Sequence, residues 1–155
     1  MDYRPVTPHS APLEIAPNLF VVYGSVRINP LVRFTRNMAI IRDNGELTLI
    51  NAVRMDEAGL QALESLGEVK HVLRLGSLHG MDDTFYTNRY NATFWSFTGE
   101  ADYTEPAVER ELDEGGELPF SNARLFEFNH ISQREGVILL EQEPGILLTV
   151  DSIQS

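Results

Sequence analysis

Apolar and polar positions alternate or cluster in short runs along this chain, each run bounded by Gly, Pro, Asn or Asp. Leu13-Glu14-Ile15 and Leu19-Phe20-Val21-Val22-Tyr23 read as short strands around Pro17-Asn18, the second ended by Gly24. Residues 27–36 show no clean period and read as a loop. Residues 37–43 and 46–51 are apolar strands separated by Asn44-Gly45, the pair that supplies the positive φ values of a two-residue hairpin. Residues 56–66 place Leu60, Leu63 and Leu66 at helical spacing, with Asp56 and Glu57 at the N-terminal end and Gly67 as C-cap. Gly59 is a blemish in that helix, costing about 1 kcal/mol against Ala.

A strand over 69–75 follows, bounded by Gly76, then a short helix ending at Tyr90 and a strand over 92–95. Residues 100–117 hold eight acids against one arginine, with Pro106 and Gly115-Gly116, and read as a solvated loop. The regular oxygen alternation of a calcium loop is missing there. Three more strands cover 123–128, 136–141 and 145–150, the last two joined by Glu143-Pro144-Gly145-Ile146 as a type II turn. Strand, hairpin, helix and strand in this order predict a mixed α/β (α+β) fold with a crossover helix. The organisation expected is a flexible arm over 1–12 and a single domain over 13–155.

Composition narrows the function classes. The chain has 155 residues, 43% of them hydrophobic, which is one domain with one real core. Twelve Lys+Arg against 23 Asp+Glu leave a net charge of −11. Phosphate backbones and acidic membrane surfaces both select basic faces, so neither nucleic acid nor membrane is expected as partner. No basic-then-apolar leader or membrane span is visible, which makes a soluble cytoplasmic protein the default expectation. With no cysteine, any metal must be held by His, Asp or Glu.

Four histidines are candidates for chemistry. His9 lies in the arm and reads as inert, and His71 inside its strand reads as structural. His79 follows a strand beside two glycines and ahead of two carboxylates, at the kind of strand end where α/β proteins place their sites. His130 and Asp151 follow the strands at 123–128 and 145–150. Arg27, Arg33 and Arg36 cluster in one segment of an acidic protein. They read either as a clamp for an anionic substrate group or as partners of surface acids.

The order His79-Gly80-Met81-Asp82-Asp83 after a strand, His130 ahead of a strand pair, and Leu147-Leu148-Thr149-Val150-Asp151-Ser152 resembles the metallo-β-lactamase fold over residues 13–152. The resemblance implies an αββα sandwich, of which this chain would be the N-terminal part, and metal-assisted hydrolysis. That superfamily carries an H-x-H-x-D-H motif, then a later His and a later Asp. With His79 on the first His, Asp83 falls on the motif's Asp, while Met81 and Thr84 replace the other two imidazoles. With His79 on the second His, Ser77, Met81 and Asp82 take the remaining places. The first register keeps more ligands, and it implies His79, Asp83, His130 and Asp151 as metal ligands, with Asp83 also the catalytic carboxylate.

Thioether and hydroxyl are poor zinc ligands, so at most one divalent ion such as zinc, weakly bound, is expected. In competition, Asp82 or Asp83 caps the following helix, and His130 simply bonds a loop. The chain ends four residues after Asp151, so the resemblance also implies that the C-terminal half of the sandwich is missing. A broad apolar face should then lie open. The resulting expectation is a divergent hydrolase-like protein with an eroded centre, its partner a small molecule or the missing half. The alternative is a non-catalytic binding or scaffold domain of the same fold.

Overall fold

The computed structural model describes residues 3–29, 31–98, 103–128 and 134–150. A seven-stranded sheet is ordered along the chain: β1 (Leu13–Ala16), β2 (Leu19–Asn29), β3 (Val32–Asp43), β4 (Glu46–Ile50), β5 (Glu68–Arg74), β6 (Thr93–Ser96) and β7 (Arg110–Glu111). β1 to β4 form an antiparallel meander, and β4 to β7 pair in parallel through crossovers. Helices α1 (Glu57–Leu66) and α2 (Asp83–Tyr90) supply the first two crossovers. A second, antiparallel sheet is ordered β10 (Ile146–Leu148), β9 (Gly136–Leu140), β8 (Ala123–Glu127).

Two cores follow from this layering. Val22, Met38, Ile40, Leu49, Val72 and Phe94 bury one face of the large sheet against Leu60 and Leu63 of α1 and Tyr86 of α2. Leu19, Ile50, Leu73 and Trp95 bury the other face against Leu125, Ile138 and Leu140 of the small sheet. The order of layers is therefore helices, large sheet, small sheet. The broad apolar face expected to lie open is reduced in extent: Ile146 and Leu148 turn inward on this core, while Leu147 and Phe126 point outward and are exposed.

Asn44 and Gly45 adopt φ of 51° and 84°, closing the β3–β4 hairpin as the sequence indicates. Asp56 caps α1 through an Oδ1 that accepts the Gly59 amide hydrogen at 2.8 Å. Gly59 has a steric reason: a Cβ there would lie 2.9 Å from the His9 ring and from Met55 Cβ. His9 accepts the Asp56 amide hydrogen at Nε2 (2.9 Å), and its Nδ1 meets the Ser10 carbonyl. The histidine read as inert thus holds residues of the arm against the start of α1.

Two local readings are corrected. Of the stretch 27–36 read as a loop, residues 27–29 and 32–36 are strand, because β2 and β3 stay paired out to Asn29 and Val32. Arg33, Phe34 and Thr35 are exposed, so backbone pairing defines these positions without any apolar period. Asn29 Oδ1 closes the tip by accepting the amide hydrogens of Leu31 and Val32, both at 2.9 Å. The turn before β10 closes one residue earlier than expected, with the Gly145 amide donating to the Gln142 carbonyl and Pro144 at the third position in a cis peptide.

Candidate functional site

The C-terminal ends of β4, β5 and β6 converge beside the start of α2, where parallel sheets leave backbone and side chains free to build a site. Asn51, just past β4, takes a left-handed φ of 55° and accepts the Leu75 amide hydrogen at Oδ1 (3.0 Å), tying the two strand ends together. His79 is half-buried in a single 3-10 turn (Ser77–His79) that follows β5. Asp82 sits at the N-cap position of α2, and Asp83 is its first residue.

Each aspartate is met by a buried arginine. Arg36, from β3, donates from Nη1 to Asp82 Oδ2 at 2.7 Å and from Nη2 to the Ala52 carbonyl at 2.6 Å. The Arg54 amide also donates to Asp82 Oδ2, at 3.0 Å. With its carboxylate spent this way, Asp82 makes no side-chain cap to α2, so the capping role read from sequence is not what holds it. Arg74, the last residue of β5, donates from Nε to Asp83 Oδ2 at 2.7 Å, and the two side chains are 3% and 0% exposed. Its other nitrogens donate to the Tyr103 and Glu105 carbonyls at 2.9 and 3.1 Å, and its guanidinium lies 5.0 Å from the centre of the Phe94 ring.

Burial raises the Asp83 carboxyl to about 6, an effect that Arg74 only partly offsets. Asp83 Oδ1 is buried without a hydrogen-bond partner. Nearby, Tyr86 donates its hydroxyl to the Val53 carbonyl at 2.7 Å, and burial pushes its ionisation far above the ordinary tyrosine value. Gly80 lets Tyr103 pass close: a Cβ there would come within 2.5 Å of Tyr103 Cβ. The acidic segment read as a solvated loop is thus anchored over the strand ends at Tyr103 and Glu105, and it contributes β7 further on.

The proposed ligands fare differently. His79 and Asp83 lie on consecutive turns at this end of the fold, whereas His130 and Asp151 lie outside the described residues. The three arginines do not share a surface. Arg27 and Arg33 face each other across the β2–β3 hairpin, while Arg36 belongs to the opposite face and is buried against Asp82. Sequence reading missed Arg74 and Arg54. The signal available for Arg74 was a charge near the end of a buried-type parallel strand, where Arg is seldom found unpaired. A separate cleft of about 260 Å³ opens at the other end of the sheets, between Asn18, Arg42, Phe120 and Gln142.

No family profile matches the chain, and no curated protein does. Solved structures do. The DIM-1 metallo-β-lactamase exposed to ceftazidime matches 90% of this chain and 67% of its own at a TM-score of 0.63 and 13% identity. FIM-1 from Pseudomonas aeruginosa, in a mono-zinc form, matches 86% of this chain and 65% of its own at 0.62 and 10%. VMB-1 matches 83% and 64% at 0.61 and 12%. The chain has the metallo-β-lactamase fold. It spans about two thirds of the length of these neighbours, from 64% to 67%.

The fold makes zinc the ion to consider, and the described residues do not fit it. Among them no three His, Asp or Glu side chains are grouped to hold a metal. The Asp83 carboxylate is already bonded to a guanidinium, its second oxygen is enclosed without a donor, and the Met81 sulfur lies 3.6 Å from Arg36 Nη1. Three protein ligands and an open position are what a catalytic zinc requires. No helix among the described residues is long and apolar enough to cross a membrane.

Proposed function

We propose that this chain is a metallo-β-lactamase-fold binding or scaffold domain, in which arginine–aspartate pairs have replaced the water-activating metal chemistry of a hydrolase. The observation that carries this reading is the Arg74–Asp83 pair. A carboxylate aligned with the motif's Asp is fully buried and bonded at 2.7 Å to an equally buried guanidinium. A divalent ion could use the bonded oxygen of that carboxylate only by displacing Arg74, which also holds the Tyr103 and Glu105 carbonyls. Such a displacement would leave a cation buried without its partner, at a cost of several kcal/mol.

The other reading is a hydrolase with one weak metal site built from His79, Asp83, His130 and Asp151. The two are separated by elemental analysis of protein purified without chelator, alongside assays on thioester, phosphodiester and β-lactam substrates. The binding-domain reading expects well under one equivalent of zinc and no turnover above blank on added zinc. Stoichiometric zinc together with turnover that chelation abolishes would favour the hydrolase.

A further inference from the structure

The β2–β3 hairpin carries the wrong sign of charge for this chain. Residues 15–42 hold four arginines and no Asp or Glu, although the chain as a whole stands at −11. Arg36 turns inward to Asp82, and Arg42 bonds Asn18 and the Leu66 carbonyl. Arg27 and Arg33 stay exposed, directly opposite each other on one face of the hairpin. Like charges opposed across a strand pair destabilise it, and among the described residues no acid pairs with Arg33. Leu31, at the tip, is 96% exposed, with Val32 38% and Phe34 55% exposed beside it. Asn29 Oδ1 fixes that tip through the Leu31 and Val32 amides, so little freedom is left to lose on binding.

We propose that this hairpin is a membrane-docking device whose tip enters the interface of an anionic phospholipid bilayer. Leu31 and Val32 lead. Arg27 and Arg33 stand one pair back on one face, level with the lipid phosphates, and Phe34 follows on the other. The tip is a protrusion rather than a groove. A soft bilayer accepts a protrusion directly, whereas a protein partner needs a cavity cut to Leu31.

The overall negative charge argues against a broad contact with such a surface, but not against a contact made by this tip alone. The last fully buried pair of the ladder is Gly24 with Arg36, and pairing runs on to Asn29 and Val32. The four residue steps from Ser25 to Asn29 alone reach roughly 13 Å. The Debye length at physiological ionic strength is about 8 Å. A bilayer touching the tip is therefore screened from most of the acids behind it, while both guanidinium groups lie within reach of its phosphates.

Flotation with vesicles tests this. The wild type should be captured by phosphatidylcholine mixed with phosphatidylglycerol, and not by phosphatidylcholine alone. Leu31→Asp and Arg33→Glu should each weaken capture about tenfold or more. Circular dichroism melts should match the wild type, or lie slightly higher for Arg33→Glu, which relieves the opposed arginines. Because the chain has no cysteine, Leu31→Cys carries an environment-sensitive dye at a single position. Its emission should shift to the blue on anionic vesicles, while the same dye on Gln61→Cys, exposed on α1, should not move. Capture that is absent, or equal on neutral and anionic vesicles, would overturn the proposal. So would an unshifted dye at position 31, variants that bind as the wild type does, or a chain that ignores vesicles yet binds an acidic polypeptide such as polyglutamate.

Discussion

Arg74 and Asp83 stand nine residues apart in the chain and 2.7 Å apart in space, bonded through Nε and Oδ2 at 3% and 0% exposure. Removing one partner strands a buried charge, which costs about 3–5 kcal/mol, whereas replacing both with apolar groups is often neutral. Arg74→Met should therefore lower unfolding stability by about that amount in urea titrations. Arg74→Met combined with Asp83→Leu should recover most of it. Equal destabilisation in the single and double variants would show that the pair is not the source of the cost.

The raised Asp83 carboxyl gives a pH signature of known sign. Folded, it titrates near 6; in the unfolded chain it returns to its ordinary 3.8. Between those values the folded state holds a proton that the unfolded state has lost, so this contribution is present at low pH and is lost as pH rises through about 6. The stability of wild type relative to Asp83→Asn should thus fall with rising pH by up to about 1.4 kcal/mol per unit, then level off above neutrality. Denaturant melts of the two proteins at several pH values check this.

Trp95 reports on His71. Its indole Nε1–H donates to His71 Nδ1 at 3.1 Å, so that nitrogen must be unprotonated. Burial lowers the His71 ionisation below the ordinary histidine value, against the pull of Glu46. Because Trp95 is the only tryptophan, its emission should stay constant as pH falls to the usual histidine range and change only below it. A transition at the ordinary histidine value, removed by His71→Gln, would show that burial does not set the titration.

Gly80→Ala places a methyl against Tyr103, where 2.5 Å separates the ideal Cβ from Tyr103 Cβ and Cγ. The segment held by Arg74 must then shift outward. Amide hydrogen exchange around 103–112 should quicken several-fold, with a stability loss of about 1–3 kcal/mol from overpacking. Unchanged exchange in that segment would contradict the contact.

Much of the fold was legible because local rules and tertiary needs agreed. Asn44-Gly45, the leucine spacing of α1 and the apolar run of β5 each say the same thing at both levels. The β2–β3 extension was hidden because an uncovered hairpin needs no apolar alternation, and the role of Gly59 was hidden because it depends on His9, fifty residues earlier. In the site, the aspartates could be read from their place after a strand. The pairing of Asp82 could not, since Arg36 is brought to it across 46 residues by a sheet crossing that no local spacing encodes, whereas Arg74 lies nine residues from Asp83 at a strand end.

Zinc titration of chelator-stripped protein by calorimetry, with Arg74 intact, bears most directly on the idea that a guanidinium holds the place of a metal at Asp83. The expected result is no saturable binding tighter than about 10 µM and no rise in melting temperature with added zinc, since an ion that binds only the folded state at a hundred times its Kd would add about 2.7 kcal/mol. One equivalent of zinc bound tightly, with a matching thermal shift that Asp83→Asn abolishes, would contradict it.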